Sequence, residues 1–115
     1  MPGNGKKAMT YNFDALIAML SDDNEGTRWK AAESLGRLGD ARAVEPLIDT
    51  LWDDDARVRL KAAYALGMLG DPRALGPLQK LYRIEREDAR ETIREAMDMI
   101  KEAMSEAMSA GREGL

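Results

Sequence analysis

Few side chains in this chain could perform covalent or proton-transfer chemistry. Its 115 residues include no cysteine and no histidine. That removes the thiolate nucleophile, the cysteine-based zinc site, the usual general base and the commonest transition-metal ligand. Ser21, Ser34, Ser105 and Ser109 have no histidine and no Ser-Lys arrangement to activate a hydroxyl. The acidic runs Asp22-Asp23-Asn24 and Asp53-Asp54-Asp55 lack the alternating oxygens and distal glutamate of a calcium loop. No catalytic, metal or cofactor site is expected, and the chain is expected not to be an enzyme. Recognition remains, through aromatic and aliphatic side chains set among charges.

Those side chains sit in a tandem duplication. Residues 16–46 and 47–77 align without a gap and agree at 17 of 31 positions. Self-similarity at this period marks a repeat array, which offers a long shared surface in place of an enclosed pocket. A third copy starts at Leu78 and diverges. Within the second block, Val44, Leu47, Ile48 and Leu51 share one helical face, on a helix expected from about Ala41 to Trp52. Val58, Ala62, Ala65, Leu66 and Leu69 form the face of the next helix. The same frame picks out Leu16, Ile17, Leu20, Thr27, Ala31, Leu35 and Leu38 in the first block. Gly39-Asp40 and Gly70-Asp71 read as a left-handed stop followed by a cap. In the third copy Lys101-Glu102 replaces Gly-Asp, so the helix bearing Ala89, Ile93, Ala96, Met97 and Ile100 should run on past Met104 and Met108 to Gly111. Pro46 and Pro77 lie early in their helices, and those starts should be irregular.

The expected organisation is a flexible lead over residues 1–10, three repeats over 11–101 (about 16–46, 47–77 and 78–101), and an extension with a short tail over 102–115. The fold class is all-α: a right-handed α-solenoid of three antiparallel helix pairs with an extended C-terminal helix.

The Val58-Arg59 pair before KAAYALGMLGD, the ending LGD-x-R-A-x-x-P-L and a period near 30 resemble HEAT repeats, in the short variant shared with phycobilisome-lyase subunits. The resemblance covers roughly residues 14–101. It implies a polar ladder between neighbouring repeats, built from an Asp six positions before an Arg. Asp22/Arg28 and Asp53/Arg59 have that spacing, whereas the third copy sets Ile84 against Arg90, where the ladder should stop. HEAT-fold hydroxylases that modify a hypusine precursor hold two irons with His-Glu pairs, which a chain without histidine cannot supply. HEAT-like DNA glycosylases present a basic groove, and this chain carries a net charge of −4.

That charge is uneven. Residues 1–84 balance 12 Lys/Arg against 12 Asp/Glu, and residues 85–115 hold 5 against 9. Nucleic-acid binders show the opposite bias, and no apolar run is long enough for a membrane span, so neither partner is expected. A cytoplasmic protein is expected. At about 100° per residue, Trp29, Leu60 and Glu91 form one row across the stack, and Glu33, Tyr64 and Glu95 the next. Trp29, Leu60, Tyr64 and Met68, bordered by Glu91 and Glu95, are the expected partner-binding residues on the concave face, for a protein or peptide partner. Trp52 should pack against its turn. Ile100, Met104 and Met108 are expected to support self-association as a homodimer. The functional expectation is a non-catalytic interaction or scaffold module. A bilin-lyase-like accessory protein and a structural self-assembling element stand beside it as alternatives.

Overall fold

The computed structural model describes residues 12–113. The expected lead over residues 1–10 and the last two residues of the expected tail lie outside the described residues. Six α-helices follow in order: α1 (Phe13–Met19), α2 (Glu25–Leu38), α3 (Val44–Thr50), α4 (Ala56–Leu69), α5 (Leu75–Ile84) and α6 (Glu87–Glu113). They form three antiparallel pairs, and there is no strand among the described residues. The last helix has 27 residues against 14 in α4, the run-on that the missing Gly-Asp stop demands.

The helix ends follow from their residues. Asn12, Asn24 and Asp55 accept hydrogen bonds from first-turn N–H groups of α1, α2 and α4. Gly39 and Gly70 end α2 and α4 at φ of 75° and 68°, a conformation that costs a residue with a Cβ. The helix expected from Ala41 to Trp52 is shorter. A 3₁₀ turn over Ala41–Ala43 precedes α3, and a second over Pro72–Ala74 precedes α5. Pro46 and Pro77 have no N–H to offer the carbonyl four residues back, so a regular α-helix cannot run through them from Ala41 or Pro72. Helices α3 and α5 instead start at Val44 and Leu75, with each proline in the first turn, where no N–H is needed.

One core runs through the stack. Leu35, Leu47, Leu66, Leu78, Leu81, Ile93 and Ile100 are fully buried, each contributing about 2 kcal/mol of transfer free energy. Helix α4 packs against α2 on one side and α6 on the other. The approach is close: a Cβ at Gly67 would lie 2.9 Å from the Ala96 Cα, and one at Gly36 would lie 2.8 Å from the Ala65 Cβ. Leu38 departs from the expected core face. It is 52% exposed, because no helix pair among the described residues lies outside α1 and α2 to cover it.

The inter-repeat ladder exists, with different partners from those expected. Arg28 does not pair with the Asp22 side chain; its Nη1 donates to the Asp22 and Asp23 carbonyls at 2.9 and 3.1 Å. Its Nε and Nη2 grip the Asp53 carboxylate of the next repeat at 2.8 and 3.0 Å, and Nη2 reaches Asp54 at 3.1 Å. Burial opposes ionisation of Asp53, but the Arg28 hydrogen bond and the Asp55 N–H outweigh it and hold that carboxyl below its ordinary value. Arg59 repeats the pattern, donating to the carbonyls of Asp53 and Asp54 at 2.8 and 3.2 Å. The ladder does not fail where Ile84 replaces an aspartate: Glu85 takes over and accepts from Arg59 Nε at 2.6 Å. Arg90 finds only backbone, the carbonyls of Tyr82 and Arg83.

Candidate functional site

The helical rows predicted across the stack come together only in part. A groove of about 400 Å³ lies along α4 and is lined by Trp29, Leu60, Lys61, Tyr64 and Glu95, with Arg57 and Thr92 completing it. Leu60 is the floor, partly buried against the core, and Tyr64 is 41% exposed on the wall. Trp29 is held from the α4 side, with Lys61 Nζ 4.5 Å from its ring centroid. The same ammonium reaches Glu33 at 3.1 Å. Glu91 is exposed but outside the groove lining, one turn of α6 before Glu95. Met68 is also outside the lining: it is 41% exposed, and its sulfur lies over Gly36 on the α2 side.

The charges in the groove divide by wall. Lys61 pairs with Glu33, and Arg57 pairs with Asp55 at 3.3 Å. Glu91 and Glu95 have no ion pair among the described residues. The cations are therefore already compensated, while the α6 carboxylates are open to a partner.

Two expected placements change. Ile100 is fully buried in the chain's own core, so it cannot meet a second copy. Only Met104 and Met108, 37% and 63% exposed, continue its stripe outward. Trp52 does not pack away against its turn but is 48% exposed. It borders a cleft of about 650 Å³ between the α3–α4 and α5–α6 turns, together with Ile84, Leu81, Leu60 and the Arg59–Glu85 pair. The sequence reading passed over this cleft because Trp52, Ile84 and Glu85 occupy positions where the repeats differ. A divergence from aspartate to isoleucine at a ladder position was the available signal.

No helix among the described residues is long and apolar enough to cross a membrane. Among the described residues no three His, Cys, Asp or Glu side chains are grouped to hold a metal ion.

Stacked helix pairs joined by an arginine–carboxylate ladder define a helical-repeat protein. The chain belongs to the HEAT repeats family, whose model matches residues 13–98. HEAT repeats mediate protein interactions. No curated protein matches the chain. Among solved structures it is similar to human deoxyhypusine hydroxylase in complex with glycerol, with a TM-score of 0.71 and 29% identity. The similarity covers 80% of this chain and 33% of that one, so the chain spans about a third of the length of the structure it matches. This finding corrects the expectation of a non-catalytic scaffold and of a chain that is not an enzyme. A protein built on the same repeats and similar in sequence is a catalyst, so this architecture cannot be used to set catalysis aside.

Proposed function

We propose that the chain recognises a partner protein at the α4 groove, with Leu60 and Tyr64 as apolar contacts, Trp29 as the far wall and Glu95 as the charged contact. Met68 and Glu91 extend the surface on either side. Support comes from one observation above all: Tyr64 stands 41% exposed over a groove whose cations are paired, while its α6 carboxylate, Glu95, has no ion pair among the described residues. Aromatic side chains in a concavity contribute disproportionately to protein recognition. The partner segment is apolar and flanked by basic residues. Recognition of this kind is compatible with catalysis in a larger protein, since the similar hydroxylase is an enzyme made of such repeats.

The test is affinity capture of partner protein by the full chain, followed by measurement of its Kd for wild type and Tyr64→Ala. The variant should bind at least about tenfold more weakly, equivalent to roughly 1.4 kcal/mol, with unchanged helix content by circular dichroism. Wild-type affinity in Tyr64→Ala would remove the groove as the binding site.

A further inference from the structure

Two apolar features are left uncovered at opposite ends of α6. At its start, Trp52 and Ile84 flank the 650 Å³ cleft, 48% and 70% exposed. At its far end, Met104 and Met108 prolong the stripe of Ile93, Ala96 and Ile100 beyond the reach of α4 and α5. Contact with the chain's own body persists to about Ala103, whose Cβ would lie 3.0 Å from a Cβ built on Gly70. From Met104 to Gly111 every residue is exposed, with Met104 at 37% and Met108 at 63%.

The cleft and the methionines cannot meet in one molecule. Asp88 and Ala89 line the cleft, and Met104 to Met108 follow 16 to 20 residues after Asp88 in the same helix. At 1.5 Å per residue they are held about 24–30 Å apart. Two molecules have no such restriction. We propose that the α6 tail of one copy seats in the Trp52/Ile84 cleft of a second copy.

Three properties fit that occupant. Methionine side chains are long and adaptable, and they fill irregular apolar hollows that rigid side chains do not. The cleft is of small-ligand size, enough for a few side chains from one helix rather than for a domain. Unpaired charges also stand on both surfaces. Arg86 and Asp88 line the cleft, while Lys101, Glu102 and Glu106 flank Met104 and Met108, and none of these five has an ion pair among the described residues. Seating the tail can pair Lys101 with Asp88, and one of Glu102 and Glu106 with Arg86, leaving the other glutamate at the rim. If the contact is made twice around a two-fold axis it closes a dimer; if made once per molecule it continues from copy to copy.

Sedimentation of the purified full chain from about 1 μM to about 1 mM, the range of weak to moderate contacts, tests this without any other protein. Three samples are compared with wild type: Ile84→Asp, the double variant Met104→Glu/Met108→Glu, and an equimolar mixture of the two. All the substituted side chains are exposed, and circular dichroism checks that the helices persist. Wild type should self-associate, each variant should do so at least tenfold more weakly, and the mixture should exceed either variant alone. The recovery arises because an intact tail on one copy then meets an intact cleft on the other. A wild-type chain that stays monomeric throughout overturns the proposal. So does wild-type association in Ile84→Asp, which would mean that tails pair with tails. A mixture no stronger than its components also counts against it.

Discussion

The two repeat junctions are built from nearly the same residues and behave differently. At the first, Arg28 holds both Asp53 and Asp54, and the hollow between the turns measures about 270 Å³, lined only by Asp23, Glu25, Arg28, Asp54 and Asp55. At the second, Ile84 stands in the position of Asp53, so Arg59 has a single carboxylate, Glu85, to hold. Ile84 has no polar partner to seek there and is left exposed, and the hollow opens to about 650 Å³ with an apolar border. The second junction thus carries an apolar-bordered cleft where the first presents a charged hollow, and Ile84 in place of Asp53 is one of the differences between the two junctions. A ladder in a repeat protein decides which surfaces remain available, in addition to linking neighbouring repeats.

The largest test of that contrast removes a carboxylate from each rung. Asp53→Ala takes two charged hydrogen bonds from Arg28 and one from the Asp55 N–H, leaving Arg28 with Asp54 and two backbone carbonyls, and should cost about 3 kcal/mol. Glu85→Ala should cost less, about 1.5–2 kcal/mol, because it removes a single charged hydrogen bond, from Arg59 Nε. Denaturant midpoints report both, and equal losses would erase the distinction between the junctions.

Close packing should matter about equally at either junction. Gly67→Ala and Gly36→Ala each force a methyl against a neighbouring alanine, with an expected loss of roughly 1–3 kcal/mol in thermal or denaturant unfolding. A marked asymmetry would show that the open cleft also relieves strain between α4 and α6.

A smaller effect appears in acid. The carboxyls of Asp40, Asp55 and Asp71 are held low by hydrogen bonds from Arg42, Arg57 and Arg73, and Asp53 is also lowered. A carboxyl lowered by folding stabilises the folded chain above its unfolded value, near pH 4, and that stability is lost as pH falls through the lower folded value. Melting temperature should therefore be flat at neutral pH and fall below about pH 4. Asp53→Asn should shallow that fall, and a slope identical to wild type would remove Asp53 from the account.

The smallest expected change is at Arg57→Ala, which deletes an exposed pair with Asp55 and should leave the denaturant midpoint nearly unchanged. A larger loss would mean that this pair takes part in the seam between the turns.

The repeats could be read in advance because their signals are local. The paired glycines at 39 and 70, the absence of such a stop at Lys101-Glu102, and the spacing of Leu35, Leu66 and Ile93 each act within a turn or two of helix. Tyr64, Leu60, Trp29 and Glu95 line one groove, and helical spacing alone brings them to one side. Other residues depended on distance between segments. Arg28 could have paired with Asp22 six residues back, and it is the stacking of the next repeat that delivers Asp53 instead. Ile100 looked the same as Met104 along the helix, and only the lengths of α4 and α5 decide that one is covered and the other is not. Trp52 and Ile84 border a cleft that exists because two turns fail to close.

The order of residues alone determined the helices, their ends, their pairing and the layer of leucine, isoleucine and alanine between them, because periodicity and capping operate over a few residues. The stacking of the pairs decided which carboxylate each arginine holds, which methionines stay exposed and where a hollow opens. Those outcomes depend on how far one rigid helix extends past another, and spacing within a single segment does not encode that.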